Sequence, residues 1–193
     1  VIVIVEQLQL PTWLVWHIAL MMSSWGFMLP VGALIAISLR GHLTSTMGGK
    51  PLWFTLHNLC QVLGTGTMIA GFVIAFQNIA GAHFNTTHKL FGTVIVAIGI
   101  GQFLLGFLRP HKPNPDETKT TIRMVWEYIH KWFFGRVVII LAWTNIFLGV
   151  NVVKAFFAGA PNGSARNIYL GMNVVLGLQA ALCFILTLTA IYY

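Results

Sequence analysis

Charged side chains are scarce in this sequence, and negative charge is almost missing. Only 8% of the 193 residues are charged, and four of them are Asp or Glu. A soluble domain carries about a quarter charged residues, so the charge here is too sparse to cover a water-facing surface. The hydrophobic fraction is 57% and the mean hydropathy is +0.80. These values predict an integral membrane protein of the all-α class, because an open strand cannot satisfy its backbone in lipid.

Cysteine is nearly absent as well. Cys60 and Cys183 both fall within apolar runs, which argues against a disulfide framework. The net charge of +7 sits in short loops between apolar runs, a pattern typical of membrane orientation and not of nucleic-acid binding. We therefore expect membrane lipid around the chain and no nucleic-acid partner.

Five apolar stretches are long enough to cross a bilayer, which takes about 20 residues as a helix. They are residues 12–39, 52–77, 88–109, 126–153 and 167–191. Pro30 lies within the first stretch and is expected to kink it. The stretches predict one transmembrane domain of five helices over residues 12–193. Residues 1–11 are expected to be the end of an extracellular linker from an upstream segment.

Basic residues orient these spans. One set of loops and flanks holds Arg40, Lys50, Arg109, Lys112, Lys119, Arg123 and Lys131. The other set holds Lys89, Lys154 and Arg166. The positive-inside rule places the first set in the cytoplasm, so the N-terminus is expected outside and the C-terminus inside. The sequons Asn85–Thr87 and Asn162–Ser164 both fall outside, which indicates a plasma membrane or an endomembrane.

Four histidines occur near the starts of four consecutive spans. They are His17, His57, His88 and His130. One histidine alone would indicate an interhelical hydrogen bond, whereas an ionisable residue in each of four spans marks a functional site. Alternate spans run in the same direction, so His17 pairs with His88 near the outer surface and His57 with His130 near the cytoplasm. The two layers are expected about 20 Å apart.

Each layer offers two imidazoles, without a carboxylate or cysteine at the same depth. A structural zinc site needs four protein ligands, whereas a six-coordinate haem iron needs only two. We therefore predict that the first four helices form a bundle with two haem sites in its core, with no separate catalytic residue. Small residues lie on the same helix faces: Gly64, Gly71, Gly99 and Gly106. They either admit a flat macrocycle or serve close helix packing.

The histidines stand within longer recognisable stretches. These are His17-Ile-Ala-Leu-Met-Met, Trp25-Gly-Phe-Met-Leu-Pro30, Trp53-Phe-Thr-Leu-His57, His88-Lys-Leu-Phe-Gly92 running to Gln102, Leu108-Arg-Pro110, His130-Lys-Trp-Phe-Phe-Gly-Arg136 and Trp143-Thr-Asn-Ile-Phe-Leu-Gly149. In them, over nearly all of residues 12–150, the chain resembles the cytochrome b561 family, in the eukaryotic type that follows an extracellular DOMON or cytochrome-like domain. Six-span members have a helix before the first ligand helix, which these five spans lack. The resemblance implies two haem b groups, held by His17 with His88 and by His57 with His130.

The resemblance also implies a function. Electrons would pass from cytoplasmic ascorbate to an outer acceptor, which is ferric iron, monodehydroascorbate or a tethered upstream redox domain. The chain would then be a transmembrane ascorbate-dependent oxidoreductase or ferric reductase. One alternative is a di-haem cytochrome b subunit that exchanges electrons with quinone. A second is a haem-free membrane scaffold or proton-coupled transporter, although transporters bind near the midplane. A homodimer partner is a further candidate.

Basic residues at the cytoplasmic end are the candidates for binding anionic ascorbate by electrostatic attraction. They are Lys50, Arg109, Arg123 and Lys131, each of which also serves the positive-inside topology. Arg136 lies about 9 Å deeper than His130, where an unpaired charge is costly. It is predicted to reach a propionate of the inner haem, with snorkelling to water as the alternative.

Overall fold

The computed structural model describes residues 10–110 and 118–156, together with six positions between 171 and 181. Within this part of the chain, four helices are long and apolar enough to cross a membrane. They are α1 (Thr12–Ser38), α2 (Leu52–Asn78), α3 (Thr87–Phe107) and α4 (Thr121–Lys154). The predicted all-α membrane fold is confirmed. Apart from those six positions, the predicted fifth span, 167–191, lies outside the described residues, as does the sequon at Asn162–Ser164.

The fourth span begins earlier than predicted, at Thr121 and not at residue 126. Its 34 residues give a length of about 50 Å, well beyond the hydrocarbon core of about 30 Å. The sequence pattern placed the start too late because the first turn carries charge. Thr120 caps this turn, since its hydroxyl oxygen accepts the N–H of Arg123 at 3.3 Å. The helix therefore extends past the hydrocarbon core.

Two spans contain a π-helical segment, Ser24–Met28 in α1 and Tyr128–Phe134 in α4. Such segments take up an extra residue, disturb the regular backbone hydrogen bonding, and occur frequently at functional sites. The first lies immediately before Pro30, which cannot donate a backbone hydrogen bond. The first span was expected to kink at Pro30, and the structure has a π-helical turn that ends two residues before this proline.

The core of the bundle lies where the four helices meet. Trp25, Met68 and Trp143 are each less than a tenth exposed. The indole Nε1 of Trp143 donates to the carbonyl of Trp25 at 2.9 Å, which joins α4 to the π-helical turn of α1. Large apolar side chains such as Val94 and Leu104 are exposed, as expected for helices surrounded by lipid.

The four glycines divide between the two roles considered above. A Cβ at Gly64 or Gly71 would come within 2.7 or 3.1 Å of a leucine of α1, so these two allow α1 and α2 to pack closely. Gly99 and Gly106 of α3 line the cavity described below. Gly99 also packs, since its Cβ would lie 3.1 Å from Met68.

A short hairpin joins α1 to α2. Its strands are β1 (Thr46–Met47) and β2 (Lys50–Pro51), which pair in antiparallel register. The turn uses Gly48 at φ 59° and Gly49 at φ 75°, the left-handed backbone that two-residue hairpin turns require. The hairpin holds Lys50 at the end of the bundle near His57.

Candidate functional site

Helices α1 and α2 exchange two hydrogen bonds through their histidines. The Nδ1 of His17 lies 2.9 Å from the carbonyl oxygen of Gly71, and the Nδ1 of His57 lies 2.8 Å from that of Gly32. A carbonyl only accepts, so Nδ1 carries the proton in both rings. The Nε2 atom of each ring is therefore left as the nitrogen that can bind a metal.

The histidines of α3 and α4 differ from each other. The Nδ1 of His88 donates to the carbonyl oxygen of Asn145 at 3.0 Å. A Cβ at Gly149 would lie 2.9 Å from the His88 ring, so only glycine leaves room for that imidazole. The Nδ1 of His130 is buried and has no hydrogen-bond partner among the described residues.

These contacts set the spacing of the two layers. From His57 to Gly71, α2 rises about 21 Å, and the carbonyl of Gly71 contacts His17. From His130 to Asn145, α4 rises about 22 Å, and the carbonyl of Asn145 contacts His88. Two separate helices therefore place the histidine layers about 20 Å apart.

The structure brings His17 and His88 together. Their ring centroids are 6.4 Å apart and the ring planes are inclined by 82°. Two imidazoles that share one metal ion at about 2 Å per bond have centroids roughly 6 Å apart. The part of the chain that the structure describes holds no group of three or more His, Cys, Asp or Glu side chains suited to a metal ion. The pair therefore fits an iron whose remaining ligands come from a porphyrin.

His57 and His130 both line one cavity of about 460 Å³ near the opposite end of the bundle. This volume is in the range of sites for small molecules and cofactors. Apolar and aromatic side chains make up most of the wall. Four basic side chains also line it: Arg40, Lys50, Arg109 and Lys131. A flat apolar group with anionic substituents, such as haem with its propionates, suits this combination.

The basic side chains at the mouth of the cavity lie over aromatic rings. The guanidinium of Arg40 is 5.3 Å from the Trp53 ring centroid, while Arg109 and Lys50 lie 5.6 and 5.9 Å from that of Phe54. Burial, followed by repulsion from nearby arginines, lowers the pKa of Arg109 from its ordinary value. No Asp or Glu is among the described residues that line the cavity. An anion at the mouth would relieve the repulsion.

Arg123 does not line the cavity, although it was among the predicted ascorbate-binding residues. Its side chain is 3% exposed. It donates to Glu127 at 2.9 Å and to the carbonyl of Pro110 at 2.7 Å. Glu127 also pairs with Lys119 at 2.9 Å and with Lys131 at 3.3 Å. Arg123 is therefore part of a charge network that fixes the start of α4.

Arg136 lies away from the cavity wall. Its guanidinium carbon is 3.9 Å from the ring centroid of Trp132, one turn earlier in α4. Its Nη1 is buried without a hydrogen-bond partner among the described residues. A contact between Arg136 and a propionate stays a prediction.

Three residues of the site were not predicted to belong to it. Arg40 lines the cavity. Its position directly after the first span is the sequence feature that could have identified it. Trp126 stacks on His130. The spacing of about one helical turn between the two residues could have identified this contact. Gln102 donates to the carbonyl of His130 at 2.7 Å. Its signal is an amide in an otherwise apolar run.

In the part of the chain that the structure describes, a membrane-spanning helical bundle carries paired histidines at two depths. This arrangement defines a membrane protein of the haem-binding, electron-transport class. The chain belongs to the eukaryotic cytochrome b561 family, whose profile matches residues 16–157. Members of this family are membrane proteins that bind haem b.

The names of the plant relatives include further domains. The chain is 30% identical over 169 residues to a cytochrome b561, DM13 and DOMON domain-containing protein of Arabidopsis thaliana, covering 88% of this chain and 17% of that protein. It is 30% identical over 162 residues to a cytochrome b561 and DOMON domain-containing protein of the same plant, covering 82% and 36%. Ferric-chelate reductase 1 of Bos taurus is 25% identical over 137 residues, covering 70% and 22%. The chain therefore spans about a third or less of these relatives' length. No solved structure gives a significant match.

Proposed function

We propose that this chain carries electrons across a membrane between two bis-histidine haem b groups, from cytoplasmic ascorbate to an acceptor on the other side. The observation that carries the proposal is the arrangement of the four histidines in two layers about 20 Å apart. A haem-free scaffold would not need two paired imidazoles at each of two depths.

The four histidines are the residues that would hold iron. The ring centroids of His17 and His88 are 6.4 Å apart, a distance that suits one ion between them. His57 and His130 line the cavity of about 460 Å³. Haem b supplies a one-electron carrier in each layer. Hydrogen bonds to carbonyls of the facing helix keep the imidazoles of His17, His57 and His88 at a fixed depth.

The basic mouth supports ascorbate as the electron donor. Arg40, Lys50, Arg109 and Lys131 line the cavity, and they would attract an anion from solution. Ascorbate gives up one electron and one proton to form monodehydroascorbate. The proton passes to water at the open mouth, and the electron leaves on the opposite side, where a ferric ion would become ferrous. The name of the bovine relative, ferric-chelate reductase 1, supports ferric iron as the acceptor.

The orientation follows from the basic flanks. The cavity end carries most of the basic residues, so it faces the cytoplasm by the positive-inside rule, and the N-terminus and His17 face outside. The DOMON domains in the names of the plant relatives support a tethered redox domain as another acceptor in the full-length protein.

A difference spectrum tests this proposal. The purified protein is oxidised, treated with ascorbate, and then with dithionite. We expect b-type haem bands, most of them already reduced by ascorbate, at a stoichiometry of about two haems per chain. A protein without haem bands would contradict the proposal. Haem that responds to a quinol but not to ascorbate would favour the quinone-linked alternative.

Proteoliposomes test the direction of transfer. The protein is reconstituted into vesicles loaded with ascorbate, and a ferric chelate that cannot cross the bilayer is added outside. Reduction of the chelate should require the protein and should stop when internal ascorbate is oxidised. Vesicles that contain His57→Ala protein serve as the control, since the cavity layer is then interrupted.

A further inference from the structure

The four histidines share a pattern that one of them breaks. His17, His57 and His88 each donate from Nδ1 to a backbone carbonyl of the helix that faces them. His130 does not, because its Nδ1 is buried without a partner among the described residues. The facing helix of His130 is α3, in which Gly106 lies beside the ring: a Cβ there would be 3.8 Å from His130 Cε1.

Trp126 takes the backbone carbonyl of α3 at this depth. Its indole Nε1 donates to the carbonyl oxygen of Leu105, directly before Gly106, at 2.9 Å. Its ring stacks on His130, with centroids 4.5 Å apart and planes inclined by only 22°. Trp126 thus makes the carbonyl hydrogen bond to α3, and it lies flat against the histidine that does not make one.

Other contacts hold Trp126 and His130 in place. The Arg123 guanidinium lies 5.3 Å from the indole centroid of Trp126, and the ion pair with Glu127 fixes Arg123. The carbonyl of His130 accepts from Gln102 at 2.7 Å and from the N–H of Gly135. The backbone of His130 is therefore anchored, whereas the orientation of its imidazole depends on the stacked indole.

We propose that Trp126 is a positioning residue for His130: it sets the plane of the imidazole and keeps its Nδ1 from a backbone acceptor. The proposal rests on the proposed function, in which His130 binds haem iron. A hydrogen bond from Nδ1 raises the basicity of an imidazole ligand, which favours the ferric over the ferrous form. Without that bond His130 is the weaker ligand, so Trp126 raises the reduction potential of the inner layer.

The experiment compares Trp126→Leu with Trp126→Phe in the haem-loaded protein. Redox titration and low-temperature electron paramagnetic resonance are recorded, with the outer layer as the internal reference. In Trp126→Leu, water or the Leu105 carbonyl reaches Nδ1. The inner midpoint should therefore move to lower potential and the inner ferric signal should change. In Trp126→Phe, the retained ring should keep both closer to wild type. Tyr128→Leu, which removes an exposed aromatic ring from the same helix, should leave both unchanged.

Each other result is decisive as well. Loss of the inner haem in Trp126→Leu but not in Trp126→Phe would support positioning by the ring. The proposal is overturned by an unchanged inner midpoint and signal in Trp126→Leu, by equal shifts in both layers, or by equal effects of Leu and Phe, including loss of haem in both. Wild-type protein that binds no haem would overturn the proposed function as well. If the wild-type protein binds two haems but Trp126→Leu leaves the inner midpoint and signal unchanged, the inference about Trp126 is overturned and the proposed function is not.

Discussion

The outer and inner histidine layers use the same four helices but differ in how they are completed. In the outer layer both rings, His17 and His88, are fixed by carbonyls of facing helices, and Gly149 leaves only enough room for the His88 ring. In the inner layer only His57 has such a carbonyl, and the layer borders a cavity with four basic side chains. The outer layer is suited to holding a group rigidly, whereas the inner layer is also open to an anionic reactant.

The largest expected effect comes from removing one ligand in either layer. His57→Ala should abolish the inner haem and leave the outer one, so the haem content per chain should fall by about half. His17→Ala is the matched variant, because it removes the partner of His88 and should abolish only the outer haem. Haem content and the reduced spectrum measure both. Loss of both haems from folded His57→Ala protein would contradict two independent layers.

The sequence predicted the four spans that the structure describes, and it predicted that His17 and His88 lie close together. Long apolar runs are a strong signal because the bilayer dictates their length, and alternate spans must share a direction. The carbonyl partners were not predictable, since every residue has a carbonyl and nothing in the sequence marks those of Gly32, Gly71 and Asn145 as hydrogen-bond acceptors. The two π-helical turns were missed for a related reason. One extra residue in a turn is decided by tertiary contacts such as that of Trp143 with Trp25.

The charge network at the start of α4 shows a further limit of the sequence reading. Arg123 was grouped with the residues at the mouth because all of them are basic and lie at one end. The structure places it against Glu127 and the carbonyl of Pro110, a pairing that leaves it almost fully buried. Arg40 was expected only to orient the spans, yet it lines the cavity. Loop geometry decides which basic side chains face a ligand, and composition does not reveal it.

A single methyl group should disturb the outer layer alone. In Gly149→Ala the new Cβ would lie 2.9 Å from the His88 ring, so the ring must move off its bond with Asn145. We expect lower outer haem occupancy and an altered outer spectrum, with the inner layer unchanged. Gly101→Ala is the control, because a Cβ there meets nothing within 4 Å, and it should gain about 1 kcal/mol of helix stability. If both variants retained wild-type spectra, the outer layer would be less tightly packed than the structure indicates.

Removing a charge at the mouth should weaken the reaction with ascorbate while both haems stay bound. One charge about 6 Å from a monoanion in water-like surroundings contributes about 0.7 kcal/mol. Lys50→Gln should therefore raise the KM for ascorbate about threefold, with unchanged haem spectra. The difference should shrink at high salt, which screens exposed charges. Lys119→Gln removes an equal charge that pairs with Glu127 outside the cavity wall, and it should leave the KM near wild type. Equal effects of both variants would indicate net charge and not a local binding site.

The smallest expected effect concerns the carbonyl of His130. Gln102→Leu removes a 2.7 Å hydrogen bond between α3 and this carbonyl. The carbonyl keeps the N–H of Gly135 as a partner, so the cost should be about 1 kcal/mol. Thr93→Val is the control on the same helix, because the Thr93 hydroxyl bonds only to the carbonyl of Lys89 in its own helix. Thermal unfolding of the haem-loaded protein should show a lower midpoint for Gln102→Leu than for Thr93→Val.

A small shift confined to the inner spectrum should accompany the loss of stability in Gln102→Leu, because Gln102 contacts the backbone of His130 in the inner layer. An equal shift of the outer spectrum would mean that the two layers are mechanically coupled through α3, and their separate treatment would have to be abandoned.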